Sequence, residues 1–239
     1  VSPRTLDLLE PSGATALMLE RMHRAERVRI RRGLDAPFLE ADLSQMPHRF
    51  NFLGVLAQSE TERCLIEILG AQGIQVEWNT ELKDIVARGD GFLCDRAPVD
   101  ILIGADGAHS TVRHWLGFGF PGESLPQRFG LADVELDGWP HPWNAAVGTL
   151  FDTHICGFLP MREGFGRFIT TRPKPLESLP GDAKVSKVHW QTEFTINVRQ
   201  VESYQRGNAF LAGDSAHIHS PAGGRGMDLG IEDAAWLAW

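Results

Sequence analysis

Cysteine is scarce in this chain of 239 residues: Cys64, Cys94 and Cys156 are odd in number and lack metal-type spacing. That excludes a disulfide framework and fits reduced thiols in a cytoplasmic protein. No run of about eighteen apolar residues occurs, so the sequence contains no candidate helical membrane span. Basic residues are not in excess. The 23 Lys and Arg against 31 Asp and Glu leave a formal charge of −8, which argues against nucleic acid or an anionic membrane surface as partner. Ser59, Ser110 and Ser215 lack the Gly-x-Ser-x-Gly elbow of a hydrolase nucleophile. His217 and His219 have no Cys or acid companions at ligand spacing, so no metal site is expected. No repeat or low-complexity segment appears.

What is present concentrates near the C-terminus, where residues 206–217 read Arg-Gly-Asn-Ala-Phe-Leu-Ala-Gly-Asp-Ser-Ala-His, followed by Ile-His-Ser-Pro-Ala-Gly-Gly-Arg-Gly through 226. The order is turn, short apolar strand, Gly213 and Asp214 at the strand tip, a loop with Pro221, Gly223, Gly224 and Gly226, then a helix from Met227 and Asp228 to Trp239. Asp214 is placed to accept hydrogen bonds from sugar-like hydroxyls or to cap a helix. The glycines permit positive φ and close backbone approach. A helix start offers unpaired N–H groups and partial positive charge. Such a string suits a large, polyhydroxylated, anionic ligand. Met227, Ile231, Ala234, Ala235 and Ala238 recur at helical spacing and are expected to anchor the helix.

A second string runs Val-Asp-Ile-Leu-Ile-Gly-Ala-Asp-Gly-Ala-His-Ser-Thr-Val-Arg over 99–113. Ile101 to Ile103 read as a strand buried on both faces, and Gly104 as its break. Ser110 is a candidate N-cap for a helix through Leu116. Asp106 either caps that helix or faces a ligand, and Arg113 is either a solvated helix residue or a site residue. Further upstream, Gln58 precedes Ser-Glu-Thr-Glu over 59–62. Ser59 and Glu62 spell a capping box for a helix with Leu65, Ile66 and Leu69 on its apolar face and Gly73 at its end. Ile74 to Trp78 alternates as a strand.

Three motifs in this order resemble the FAD-dependent aromatic hydroxylases of the p-hydroxybenzoate hydroxylase type. The resemblance implies that Gln58, Asp106, Gly107, Arg113, Gly213, Asp214, Pro221, Gly223, Gly224, Gly226, Met227 and Asp228 line an FAD site. It places Arg113 near the approach of NADPH or NADH and Arg167 on a strand facing flavin and substrate. It also implies the partners: O2 and a small aromatic or polyketide-like molecule, which the enzyme would hydroxylate. No catalytic residue is assigned. With Tyr204 the sole tyrosine, His141, His154 or His189 is the available acceptor for a phenolic proton.

The chain departs from that pattern in two places. No strand–Gly-x-Gly-x-x-Gly–helix string occurs, and Asp228 stands where the family usually has asparagine. The chain opens instead with Ser2 as cap and Pro3 at the first helical position. It therefore reads as a piece of a longer protein. The alternatives are a non-catalytic fragment that cannot hold FAD, or a related flavin halogenase or reductase.

The expected architecture is α/β, a Rossmann-like FAD-binding domain interrupted by a mostly antiparallel β substrate domain. The cofactor segments are 1–21, 53–123 and 200–239, and the substrate segments are 22–52 and 124–199. In the latter, Val28 and Ile30 alternate with arginines, Ala132, Val134 and Leu136 alternate with polar residues, and Phe165 to Thr170 forms another strand.

Overall fold

The first helix starts as its residue types require. The Ser2 side chain accepts a hydrogen bond from the Thr5 N–H at 3.2 Å, and Pro3 supplies the first helical residue of α1, Pro3–Leu9. Gly13, at φ +86°, makes the left-handed step into α2, Ala14–Arg21, a step that costs a glycine little. A third helix, α3, covers Gln58–Ala71 and ends before Gly73 at φ +77°. It begins at Gln58 with no side-chain cap, so Ser59 and Glu62 do not form the expected capping box. The Gln58 amide instead donates to Glu62 at 3.2 Å, one turn on. Cys64 is fully buried with Leu6, Ala14, Met18, Met22, Phe50 and Phe52, and Leu65 and Ile68 pack against them. Ile66, assigned to the apolar face from the sequence, is exposed.

The computed structural model describes residues 1–220 and 224–239. Two compact units emerge, Val1–Ile74 with Pro126–Thr195, and Gln75–Leu125 with Ile196–Trp239. This grouping by packing differs from the functional partition expected above, because α1, α2 and α3 pack in the unit that holds most of the strands. The fold class itself is as expected, mixed α/β with a predominantly antiparallel sheet.

In the first unit, strands run across one sheet in the order Val185–Gln200, Gly122–Leu136, Phe165–Thr170, Ile155–Arg162, Ala145–Leu150, Arg27–Arg32, Leu39–Asp42. The first two strands contribute their other ends to the second unit. Ala145–Leu150 and Arg27–Arg32 are parallel, and the pairs of registered strands flanking them are antiparallel. Burial alternates from residue to residue along 130–136, 156–160 and 165–170. One face carries Ala132, Val134, Leu136, Val147, Cys156, Phe158 and Phe168, closed over by Trp139 and by partly buried Leu179 and Ala183. Burial pushes the Cys156 thiol up to about 12, which makes it an inert packing residue. The opposite face, with Leu131, Asp133, Gly157, Leu159, Arg167 and Ile169, is only half-buried.

Arginines alternating with Val28 and Ile30 suggest a strand with its cations in water. The structure reverses this for Arg31, which is 2% exposed on the closed face. Its guanidinium meets both Asp182 oxygens, at 2.5 and 2.8 Å, and the Thr149 hydroxyl at 3.1 Å. A buried charge needs such a fork of donors matched to a carboxylate. The partner lies 151 residues away, beyond the reach of any periodicity argument.

The second unit holds two three-stranded sheets. One is a meander of Ile85–Arg88, Gly91–Cys94 and Ala97–Val99. The other orders Gln205–Arg206, Ala209–Leu211 and Leu102–Gly104, the last two parallel. Leu102–Gly104 is an edge strand. Leu102 is buried, while Ile101 and Ile103 are 59% and 50% exposed, so burial on both faces is corrected to burial on one. Ile74 to Trp78 is not a strand. No ladder partner meets it among the described residues, and its apolar side chains are exposed.

Asp182→Asn should destabilise the protein by about 3 kcal/mol at neutral pH, because it leaves Arg31 buried without its counter-charge. Arg31 holds the Asp182 carboxyl below the usual carboxylate range. The stabilisation is therefore complete above the unfolded-state pKa of about 4 and is lost as pH falls through the lower folded value. Urea unfolding of both proteins at pH 7 and pH 3 should show the difference shrinking in acid. A pH-independent difference would contradict the assignment.

Candidate functional site

Parallel pairing aligns Ala209 with Leu102 and Leu211 with Gly104, so the two strands of the second unit end at one level. The loops that follow them, at Asp106-Gly107 and at Gly213-Asp214, are thereby brought side by side. Ala212 N–H donates to Gly104 O at 3.0 Å. The Ser215 hydroxyl donates to the same carbonyl at 2.5 Å and accepts from Ala212 N–H at 3.2 Å. Gly104 has no room for a side chain, since a Cβ there would lie 2.7 Å from Val112 Cβ and 2.8 Å from Leu211 Cδ2. Its glycine permits close strand–helix contact; it does not break the strand.

Asp106 resolves as a cap. One carboxylate oxygen accepts from Thr111 and Val112 N–H at 2.7 and 3.2 Å, and the other from the Ser110 hydroxyl at 2.5 Å. Ser110 in turn accepts from Arg113 N–H at 2.9 Å, capping α4, Thr111–Trp115. Gly107 turns the chain at φ +80° with open space around it. Arg113 is not solvated. It is 3% exposed, and its guanidinium donates to Ser215 O at 2.9 Å and Ala108 O at 2.8 Å while lying 4.1 Å over the Phe120 ring. Burial pushes its pKa down and the Asp106 charge opposes that. Arg113 thus ties one loop to the other.

Asp214 is exposed within the short turn Gly213–Ser215, and its carboxylate makes no hydrogen bond or ion pair to the described residues. Gly213, at φ +61°, lies against Gly230 of the last helix, where a Cβ would stand 3.7 Å from Gly230 Cα. That helix, α5, covers Gly226–Ala238 and has no side-chain cap at Arg225. Gly224 adopts φ +65° before it, while Pro221 and Gly223 lie outside the described residues. Met227 is half-buried and Asp228 is 5% exposed in the first turn. The expected anchoring stripe is corrected, since Ala234 and Ala238 are exposed. The helix is held instead by Asp233, whose carboxylate accepts from Gly213 N–H at 2.8 Å and meets His217 Nε2 at 2.6 Å.

These features fit a hydroxyl-rich anionic cofactor. A partnerless carboxylate, two glycines at positive φ and an uncapped helix start converge on one segment. The His219 Nε2 atom is buried nearby, 4.0 Å from where a Cβ on Gly226 would stand, with no hydrogen-bond partner among the described residues. The described residues contain no cluster of three or more metal-ligating side chains. Asp233 and Ser215 were not selected from the sequence. Asp233 is one of three acids in the helical run, with Asp228 and Glu232, so residue type alone does not single it out. Nothing local marks Ser215, whose partner Gly104 lies 111 residues away.

Gln58 and Arg167 belong to the first unit. Arg167 is half-buried, with Nε and Nη2 on Asp133 at 2.6 and 2.8 Å. The three histidines considered as proton acceptors do not converge. His141 has its pKa lowered by burial and the nearby Arg31 charge. His154 bonds to Ser178 O at 3.0 Å, and His189 pairs with Glu135 at 2.8 Å. The letters Gly-x-Gly-x-x-Gly do occur at 117–122, but they leave a helix and enter a strand, the reverse of a dinucleotide-binding turn.

The family model described as "FAD binding domain" matches residues 1–174 and 172–239. Among curated proteins, the chain is 30% identical over 274 residues to pentachlorophenol 4-monooxygenase of Sphingobium chlorophenolicum, covering 100% of the chain and 49% of that protein. It is also 30% identical over 266 residues to 6-methylpretetramide 4-monooxygenase of Streptomyces rimosus, covering 100% of the chain and 47% of that protein. Among solved structures, anhydrotetracycline hydroxylase from Streptomyces rimosus superposes with a TM-score of 0.71 at 27% identity, covering 99% of this chain and 52% of that one. The chain spans about half the length of the curated relatives it matches.

Replacing Arg113 by methionine should cost about 3 kcal/mol of stability in urea unfolding, because one buried and one partly buried carbonyl lose their donor. Arg113→Lys retains the charge and should recover part of that loss. A loss below about 1 kcal/mol for Arg113→Met would show that the two loops are held together by other means.

Proposed function

This chain belongs to the family of FAD binding domains, and on that premise we propose that it is part of an FAD-dependent monooxygenase. The reaction proposed is hydroxylation of an aromatic or polyketide-like small molecule with O2 and NADPH or NADH. The Gly213-Asp214 turn carries this reading, with its exposed carboxylate on a turn that packs against Gly230 and Asp233 of α5. The relatives named as monooxygenases of pentachlorophenol and of 6-methylpretetramide support the substrate class.

Bound FAD would supply the electron transfer from the nicotinamide nucleotide and the activation of O2. The chain's own residues supply position and charge. Asp214 accepts hydrogen bonds from the cofactor's sugar-like hydroxyls. Gly213, Gly224 and Gly226 would let the backbone approach, and the N–H groups at the start of α5 would offer donors and partial positive charge to an anionic part of the cofactor. Gly107 opens the neighbouring turn, while Asp106 and Arg113 act indirectly by fixing both loops. Gln58 is proposed to reach the cofactor's ribityl–phosphate region, and Arg167 to serve the substrate. The partition into cofactor segments 1–21, 53–123 and 200–239 and substrate segments 22–52 and 124–199 belongs to the same proposal. So does residence in the cytoplasm. No helix among the described residues is long and apolar enough to cross a membrane.

The lack of a strand–Gly-x-Gly-x-x-Gly–helix string favours a second reading for these 239 residues taken alone, a fragment that holds FAD weakly. Two titrations separate the readings. FAD added to the chain itself, followed by gel filtration, should leave it colourless or faintly yellow. The same titration on the product including whatever coding sequence precedes Val1 should give stoichiometric flavin. In that product Asp214→Ala should weaken FAD binding by about 1.5–3 kcal/mol, the range for hydrogen bonds to a charged group. Unchanged affinity would remove Asp214 from the site.

A further inference from the structure

Two glycines face each other in the middle of the first unit's sheet for no structural reason. Gly148 is registered directly opposite Gly157, with Ile30 beside Gly148 and Ile169 beside Gly157 in the same transverse row. Neither adopts positive φ. Neither is forced by packing, because a Cβ at Gly148 would meet nothing nearer than 3.8 Å, and one at Gly157 nothing nearer than 3.9 Å. Glycines on the closed face behave otherwise. A Cβ at Gly166 would lie 2.4 Å from Phe158 Cζ, and one at Gly130 would lie 2.8 Å from Arg172 O. Glycine inside a strand weakens it and commonly marks the close approach of something else.

The pair therefore makes a hollow in the half-buried face. With strands about 4.8 Å apart and same-face rows about 6.8 Å apart along a strand, its floor has the dimensions of an aromatic ring. Ile30 and Ile169 wall it along the row. Leu159 stands in the next row, directly opposite Arg167, which is registered with Asp133. Arg167 gives Nε and Nη2 to Asp133, and its Nη1 donor has no partner among the described residues. The ion pair offers a donor and a carboxylate acceptor at nearly zero net charge, which is what a neutral hydroxyl group requires. Trp190, 47% exposed, flanks it with its ring 5.6 Å from the Arg167 guanidinium.

We propose that Gly148 and Gly157 form the floor of a substrate subsite for a flat hydroxyaromatic molecule, whose ring lies over the two glycines and whose hydroxyl meets the Arg167–Asp133 pair. This rests on the monooxygenase reading for the identity of the ligand and extends it to the residues that limit ring size. Filling the floor is then the way to change which rings are accepted, without disturbing the closed face beneath.

The test uses the chain itself, labelled with 15N and titrated with 2-naphthol. The Gly148 and Gly157 amide signals should shift by ring current. Gly157→Val should keep or raise the melting temperature, since valine suits a strand interior better than glycine, yet raise the Kd for 2-naphthol at least tenfold. Gly148→Ala, a smaller change, serves the same purpose if the valine variant does not fold. Arg167→Gln should erase the preference of the wild type for 2-naphthol over 2-methoxynaphthalene. Absence of naphthol binding, shifts confined to other residues, or unchanged affinity in the glycine variants would overturn the subsite. FAD titration of the longer gene product reports separately. Naphthol binding at the glycines without flavin binding in any form would retire the monooxygenase and leave the hollow. Flavin binding with no response at the glycines would do the reverse.

Discussion

The buried guanidinium of Arg113 is the interaction on which the candidate cofactor site depends. Its two donors reach Ser215 O in one loop and Ala108 O in the other, and Ser215 Oγ bonds back to Gly104 at the tip of the first loop's strand. The Gly213-Asp214 turn presents a carboxylate with no partner among the described residues while its own backbone is tied to Asp233 and Ala216. Removing the guanidinium from water is costly, and two carbonyls and a ring face in fixed positions offset that cost. Asp233 adds a second tie by joining the Gly213 N–H and His217 to α5. The turn, the opposite loop and the helix start are therefore positioned by side chains that need not touch a ligand.

The sheet of the first unit solves a different problem. Its closed face carries the aromatic core and a desolvated arginine matched to Asp182, so its surface is fully occupied. The other face holds Arg167 in an ion pair and leaves two adjacent glycines uncovered. A sheet with one packed and one half-open face is stable because the packed face supplies most of the apolar burial. The open face is then free to vary with what it has to hold. Glycines at 130 and 166 serve packing, whereas those at 148 and 157 serve space, a distinction that residue type alone does not reveal.

Several elements were legible in the residues themselves. Ser2 and Pro3 start a helix, Ser110 caps α4, Gly73 follows the end of α3, and Phe165–Thr170 is a strand, each because the chemistry is local. The ordered strings around Asp106 and Asp214 marked the region of the site for the same reason, since turns and helix starts are encoded within a few residues. Other readings went astray where the outcome depends on a distant partner. Ile74 to Trp78 has the pattern of a strand but no ladder to join. Ile101 and Ile103 form part of an apolar run, yet they face outward from an edge strand. Met227, Ile231, Ala234, Ala235 and Ala238 have helical spacing, but polar bonds at Asp233 fix α5 to its neighbours.

The sequence by itself determined several of the elements, the alternation that divides most of the sheet into two faces, and the turns at Asp106-Gly107 and Gly213-Asp214, because backbone preference and side-chain period are properties of short segments. Only the tertiary structure decided which polar residues are buried and whom they meet. Arg31 finds Asp182 at a separation of 151 residues, and Arg113 finds Ser215 at a separation of 102. A charge enters the interior only where folding delivers a matching partner, and that delivery is a property of the whole chain.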